Sequence, residues 1–134
     1  MILVDSSAWI EYLRGTGSPT HLEVRRLLHE QISEVHFTEP VIMELLAGAD
    51  PRSLDSMEKL IGGLPLLALD ALLDYRAAAA AARACRRRGH PVRSIVDCLI
   101  AAVAVRTGAA LVHRDRDYVH LAAVLPDLLV HRHP

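Results

Sequence analysis

Ile2-Leu3-Val4 sets three apolar residues side by side with no polar residue between them. A strand of that kind is buried on both faces, which is the condition of a parallel sheet covered by helices. Further strands are expected at 35–38, 66–69 and 110–112, with an edge strand at 128–130. Helices are expected between them. One runs through Arg14 from the N-cap chemistry of Asp5-Ser6-Ser7, and one starts at Ser18-Pro19 and carries Leu22, Leu27, Leu28 and Ile32. Others cover 41–47 and 54–61, a long one runs from a cap at Asp70 to about Arg88, and a short one covers 118–124. Ser94 and Asp97 form an S-x-x-D start signal for a helix ending at Gly108. Strands that alternate with helices in this way give an α/β fold, here a parallel sheet of four to five strands flanked by helices. The 134 residues, 1–134, are expected to form a single domain.

Composition narrows the function classes. Apolar residues make up 51% of the chain but aromatic ones only 4%, so the core must rest on aliphatic side chains and alanine. The net charge of −1 excludes a polycation that coats nucleic acid, and any such binding must use local patches. Cys85 and Cys98 form no CxxC pair and are expected to be buried free thiols. Asp5 interrupts the first apolar run, so no signal peptide is expected, and the run 98–105 is too short to span a bilayer. A cytoplasmic protein without a membrane partner is the expectation.

Asp5, Glu44, Asp97 and Asp115 fall past the ends of predicted strands, at one end of the expected sheet. Ligands of open α/β sheets bind in the crevice outside those carboxyl ends. Each acid also has a structural reading. Asp5 caps a helix, Glu44 is a solvated helix residue, Asp97 closes a capping box, and Asp115 is a loop charge. Together they would repel one another unless a cation compensates them, and an oxygen-only set suits Mg²⁺, with Mn²⁺ as a substitute. The eight histidines show no zinc spacing, and His131 and His133 are expected in a disordered tail.

Arg83, Arg86, Arg87, Arg88 and Arg93 surround the end of the long helix, and Arg114 and Arg116 flank Asp115. They read either as cations at a helix C-terminus or as a phosphate-contacting patch, the second use drawing on Arg87, Arg88, Arg93, Arg114 and Arg116. Trp9, Tyr12 and Leu13 at helical spacing read as core, and Ser6 and Ser7 as caps or as holders of metal-bound waters.

Four segments carry a resemblance: Leu3-Val4-Asp5-Ser6-Ser7-Ala8-Trp9-Ile10, Met43-Glu44-Leu45-Leu46-Ala47-Gly48, the stretch 93–102 around Asp97, and His113-Arg114-Asp115-Arg116-Asp117-Tyr118. In this order they resemble the PIN-domain ribonucleases, and in particular the VapC toxins of bacterial toxin–antitoxin pairs. The resemblance implies a Mg²⁺-dependent endoribonuclease that cuts structured RNA such as tRNA or rRNA, a homodimer, and a VapB-type antitoxin that blocks the site. Asp5 and Asp97 are then the primary metal ligands. Glu44 and Asp115 complete the shell, bind a second ion or orient water, and Asp117 substitutes for or adds to the fourth acid. Two residues depart from the family: His113 stands where Thr is frequent, and Tyr118 where Phe is common, the latter a conservative change. A PIN-like module that binds RNA or protein without cutting is the alternative. Phosphatase or phosphoacceptor chemistry is disfavoured, because position 7 is Ser and Lys59 is far from the strand ends.

Overall fold

The computed structural model describes residues 1–133. Strand β1 (Ile2–Val4) is followed by α1 (Ser6–Arg14), α2 (Pro19–Glu30), a 3-10 turn at Ile32–Glu34, and β2 (Val35–His36). Then come α3 (Glu39–Ala47), α4 (Leu54–Gly62), α5 (Asp74–Arg87) and α6 (Ile95–Thr107). The chain closes with β3 (Ala110–Val112), α7 (Asp117–Val124) and β4 (Leu129–Val130). The sheet order is β2-β1-β3-β4 and every pairing is parallel. β1 is central, with Ile2 aligned to Val35 on one side and to Ala110 on the other. All three of its residues are buried, as their unbroken apolar run requires.

The strands are short, so helices supply most of the core. α6 is apolar on nearly every face and buries Cys98 and Ile100 through Ala104. α5 lays Ala78, Ala81 and Cys85 along the side it buries, and small residues at that spacing let two helix backbones approach closely. Cys85 and Cys98 are buried and free, as expected. Trp9 is fully buried and stacks on Phe37 at 4.9 Å. Tyr12 packs against the same core, but Leu13 is exposed, because the third residue of that trio turns off the buried face.

Two expected elements differ. The strand at 66–69 contracts to a single bridge, Phe37 to Leu66. Pro65 has no N–H to donate, and the N–H of Leu69 is taken by the Glu39 carboxylate at 3.0 Å. Asp70 does not cap the long helix directly. It accepts from the N–H groups of Leu72 and Leu73 in a separate turn, and its own N–H donates to Asp74 Oδ2 at 2.8 Å. α5 therefore begins four residues later, at Asp74.

Asp74 is buried and receives both Nε and Nη2 of Arg106 at 2.9 Å, tying the start of α5 to the last turn of α6. The tail is also ordered at His131, contrary to expectation. Its N–H donates to Leu111 O at 2.8 Å and its Nε2 lies 2.8 Å from Glu23 Oε1. Glu23 is buried, and its hydrogen bond from Arg26 is the main force holding its carboxyl down near 2. Asp74→Ala leaves Arg106 without its carboxylate and should cost about 2–3 kcal/mol of stability in urea denaturation.

Candidate active site

Asp5 lies one residue past β1, where its N–H donates to Val112 O at 2.9 Å and completes the ladder to β3. Its side chain is buried and fully engaged. Oδ2 accepts from the N–H and hydroxyl of Ser7, and Oδ1 accepts from the Tyr118 hydroxyl at 2.6 Å. The helix cap read from the sequence is therefore real, and it uses one oxygen of two. Ser7 Oγ also accepts the N–H of Arg114 at 2.9 Å, so the first turn of α1 holds the loop that follows β3.

Only Asp5 and Asp115 directly follow strands. Glu44 comes from α3, and Asp97 from the first turn of α6, which succeeds α5 and not a strand. Ser6 Oγ donates to Glu44 Oε1 at 2.7 Å. Burial raises the Glu44 carboxyl above the usual range, Ser6 opposes this, and the charges of Asp5 and Asp115 add to it. The cap at Ser94 accepts from the N–H of Val96, and Asp97 closes no capping box with it. Among the described residues the Asp97 carboxylate has no hydrogen-bond partner. Burial, then the charges of Asp5, Asp115, Glu44 and Asp117, push it up to about 7.

The acids that come closest are Asp97, Asp115 and Asp117, each offering an oxygen within 4.8 Å of the others. Asp115 and Asp117 both contribute an oxygen to that group. Asp5 and Glu44 stand outside that trio, Asp5 held by Ser7 and Tyr118 and Glu44 by Ser6 through Oε1, yet the charges of both raise Asp97. The donor set is all oxygen, with negative charge beyond what nearby cations offset. It fits a hard divalent ion such as Mg²⁺ or Mn²⁺.

The arginines differ in their partners. Arg93 pairs inward with Asp115 at 2.7 Å and with Asp117 at 3.4 Å, and Arg114 pairs with Glu11 at 2.6 Å. Arg87, Arg88 and Arg116 are exposed. Tyr118 is a residue that sequence reasoning undervalued. Its hydroxyl grips Asp5, where Phe would offer nothing, and burial beside carboxylates drives its pKa upward so that it stays a proton donor. Its departure from Phe was the signal. His113 supplies no hydroxyl. Its Nδ1 accepts the Asp115 N–H at 3.2 Å, its ring lies 4.9 Å from that of Tyr118, and burial lowers its pKa against the opposing charges of Asp5 and Asp115.

The family model described as PIN domain matches residues 2–124. Ribonuclease VapC11 of Mycobacterium tuberculosis is 52% identical over 125 residues, covering 92% of this chain and 93% of that protein. The VapC ribonuclease Mb1587 of Mycobacterium bovis matches to the same extent. Among solved structures, DNA-bound VapBC from Salmonella typhimurium superposes with a TM-score of 0.73 at 19% identity, covering 98% of both chains. VapC20 of M. tuberculosis, described as a sarcin-ricin loop cleaving toxin, gives 0.66 at 21% identity over the whole of both chains.

Two measurements check the electrostatics. The fold raises the Asp97 carboxyl from 3.8 to about 7, which favours its protonated form. In EDTA the protein should therefore be most stable, as far as this group is concerned, below about pH 4. That contribution falls as the pH rises towards 7 and is flat above. Asp97→Asn removes the decline and should raise Tm at pH 8 by roughly 5–10 °C, seen in melting curves across pH. Tyr118→Phe should lower stability by about 1–2 kcal/mol in urea denaturation, through loss of the bond to Asp5.

Proposed function

The chain belongs to the PIN-domain family, in its VapC branch, and we propose that it is a metal-dependent endoribonuclease serving as the toxin of a toxin–antitoxin pair. The observation that carries the reading is the trio Asp97, Asp115 and Asp117, flanked by Asp5 and Glu44 at the carboxyl ends of a parallel sheet. Mg²⁺ is the proposed ion, with Mn²⁺ as substitute, held by Asp97, Asp115 and Asp117 with Asp5 beside them. When bound, such an ion acidifies water and stabilises charge on a phosphate oxygen.

The chain's own groups do the rest. Ser6 fixes Glu44 by Oε1, which leaves Oε2 to orient the attacking water and accept its proton, a role that the raised pKa of this carboxyl suits. Ser7 and Tyr118 hold Asp5 in one orientation. Arg87, Arg88 and Arg116 are exposed and contact flanking phosphates in this reading. The substrate is structured RNA such as tRNA or rRNA, cut in the cytoplasm at a loop whose bases can be splayed out. Among the described residues no helix is long and apolar enough to cross a membrane.

A hollow lined by Ile10, Leu13, Leu45 and Met57 reaches Glu44. It supports a VapB-type antitoxin that lays an apolar segment beside the site. A second apolar hollow, lined by Met43, Tyr75, Ile95 and Leu99, supports a homodimer. We read residues 1–134 as one domain, and the pairing of β4 with β3 beyond the matched segment supports that reading.

The test is cleavage of total bacterial RNA by the purified protein in Mg²⁺, in EDTA, and with Asp97→Asn or Asp5→Asn in Mg²⁺. Discrete fragments should appear with wild type in Mg²⁺, and each variant should lose more than about 100-fold in rate. Equal cleavage by Asp97→Asn would sink the site assignment. Intact RNA in every lane, with Mg²⁺ raising Tm, would favour the non-catalytic binding module.

A further inference from the structure

Arg93 is the resident cation of the acidic cluster. Its Nη2 lies 2.7 Å from Asp115 Oδ1 and its Nε 3.4 Å from Asp117 Oδ2. These carboxylates are two of the three whose oxygens converge within 4.8 Å. A guanidinium keeps its charge at any working pH, so it neutralises them whenever nothing stronger is present. Its hold is light. The side chain is 63% exposed, and an ion pair so open to water contributes little.

The loop does not depend on that side chain. The backbone N–H of Arg93 donates separately to Asp117 Oδ2 at 3.0 Å, and the N–H of Asp117 donates to Asp115 Oδ1 at 2.9 Å. The two acids are thus fixed by backbone donors, while the guanidinium is a removable lid over them. Among the described residues Arg93 makes no bond to Asp97. One monovalent group therefore leaves the third carboxylate uncompensated, and a divalent ion offsets more of the charge.

We infer that Arg93 and a divalent ion are alternative occupants of the Asp115 and Asp117 carboxylates, and that ion binding releases the guanidinium to a phosphate of the RNA. The inference rests on the ribonuclease reading above and adds an order of events to it. In the resting protein Arg93 closes the cluster. Once freed, its Nε and Nη2 can donate in parallel to two oxygens of one phosphate, where in the closed state they are divided between two acids. Ion and RNA then bind cooperatively, and because the coupling is thermodynamic each strengthens the other by the same factor.

Calorimetric titration of Mg²⁺ and Mn²⁺ into RNA-free wild type, Arg93→Gln and Asp97→Asn tests this without turnover. Arg93→Gln keeps the backbone bond to Asp117 and should fold, which its melting curve checks. It should bind the ion about fivefold more tightly than wild type, since the ion no longer displaces an exposed pair. The Arg93 Nε–Hε resonance of ¹⁵N-labelled wild type should move as the ion saturates. In anisotropy with a phosphorothioate RNA hairpin, Mg²⁺ should strengthen binding of wild type more than of Arg93→Gln. Equal or weaker ion binding by Arg93→Gln, or an unmoved resonance at saturation, overturns the inference and leaves the ribonuclease reading standing. No ion binding by wild type, or undiminished binding by Asp97→Asn, overturns the metal site and the inference with it.

Discussion

Mutual repulsion among five carboxylates, drawn together in a partly buried crevice, is the constraint to which the surrounding architecture answers. Four of the five acids are met by devices that differ. Asp5 is held by a helix N-terminus, a serine and a buried tyrosine; Glu44 by Ser6; Asp115 by its neighbour's N–H and Arg93; Asp117 by the backbone of the α5–α6 loop. Asp97 alone has no such partner among the described residues, and the unrelieved charge shows in its carboxyl, raised to about 7. A site so arranged is costly to keep ionised without a cation, and the donors that fix it are the ones that preorganise it for one.

The sheet is small for the work it does. β1 spans three residues and β2 and β4 two each, so register is fixed less by ladder length than by complete burial of Leu3 and Val4 between helices. A slip of one residue would turn Asp5 from the crevice into the core, where an unpaired carboxylate is not tolerated. The burial that stabilises β1 and the placement of the first acid are one constraint.

Much of this was legible in the chain. An apolar triplet before Asp5, a proline-started helix at Pro19 and an alanine-rich α5 follow from local chemistry, and the acids stand out because carboxylates rarely sit beside buried segments. What was not legible depends on groups distant in sequence. The strand at 66–69 failed because Glu39, thirty residues earlier, takes an N–H that pairing required. Asp70 gave up the helix start because Arg106 draws Asp74 inward. The arginine-rich stretch read either as helix C-terminal cations or as a phosphate patch, and neither reading foresaw that Arg93 pairs with the cluster and Arg114 with Glu11. Tyr118 read as a conservative change because its hydroxyl meets a partner 113 positions away.

That same separation has a consequence for how the molecule comes into being. The bond from Tyr118 to Asp5, and that from the Arg114 N–H to Ser7, join the two ends of the chain across 113 and 107 residues. Contacts of such range close late, after the intervening loop entropy has been met. A nascent chain emerging from a ribosome carries Asp5 early but cannot orient it until the segment beyond β3 has also been made. The crevice is thus completed only once that segment is present, and a machine built largely of RNA can synthesise the chain as far as β3 before the finished site exists.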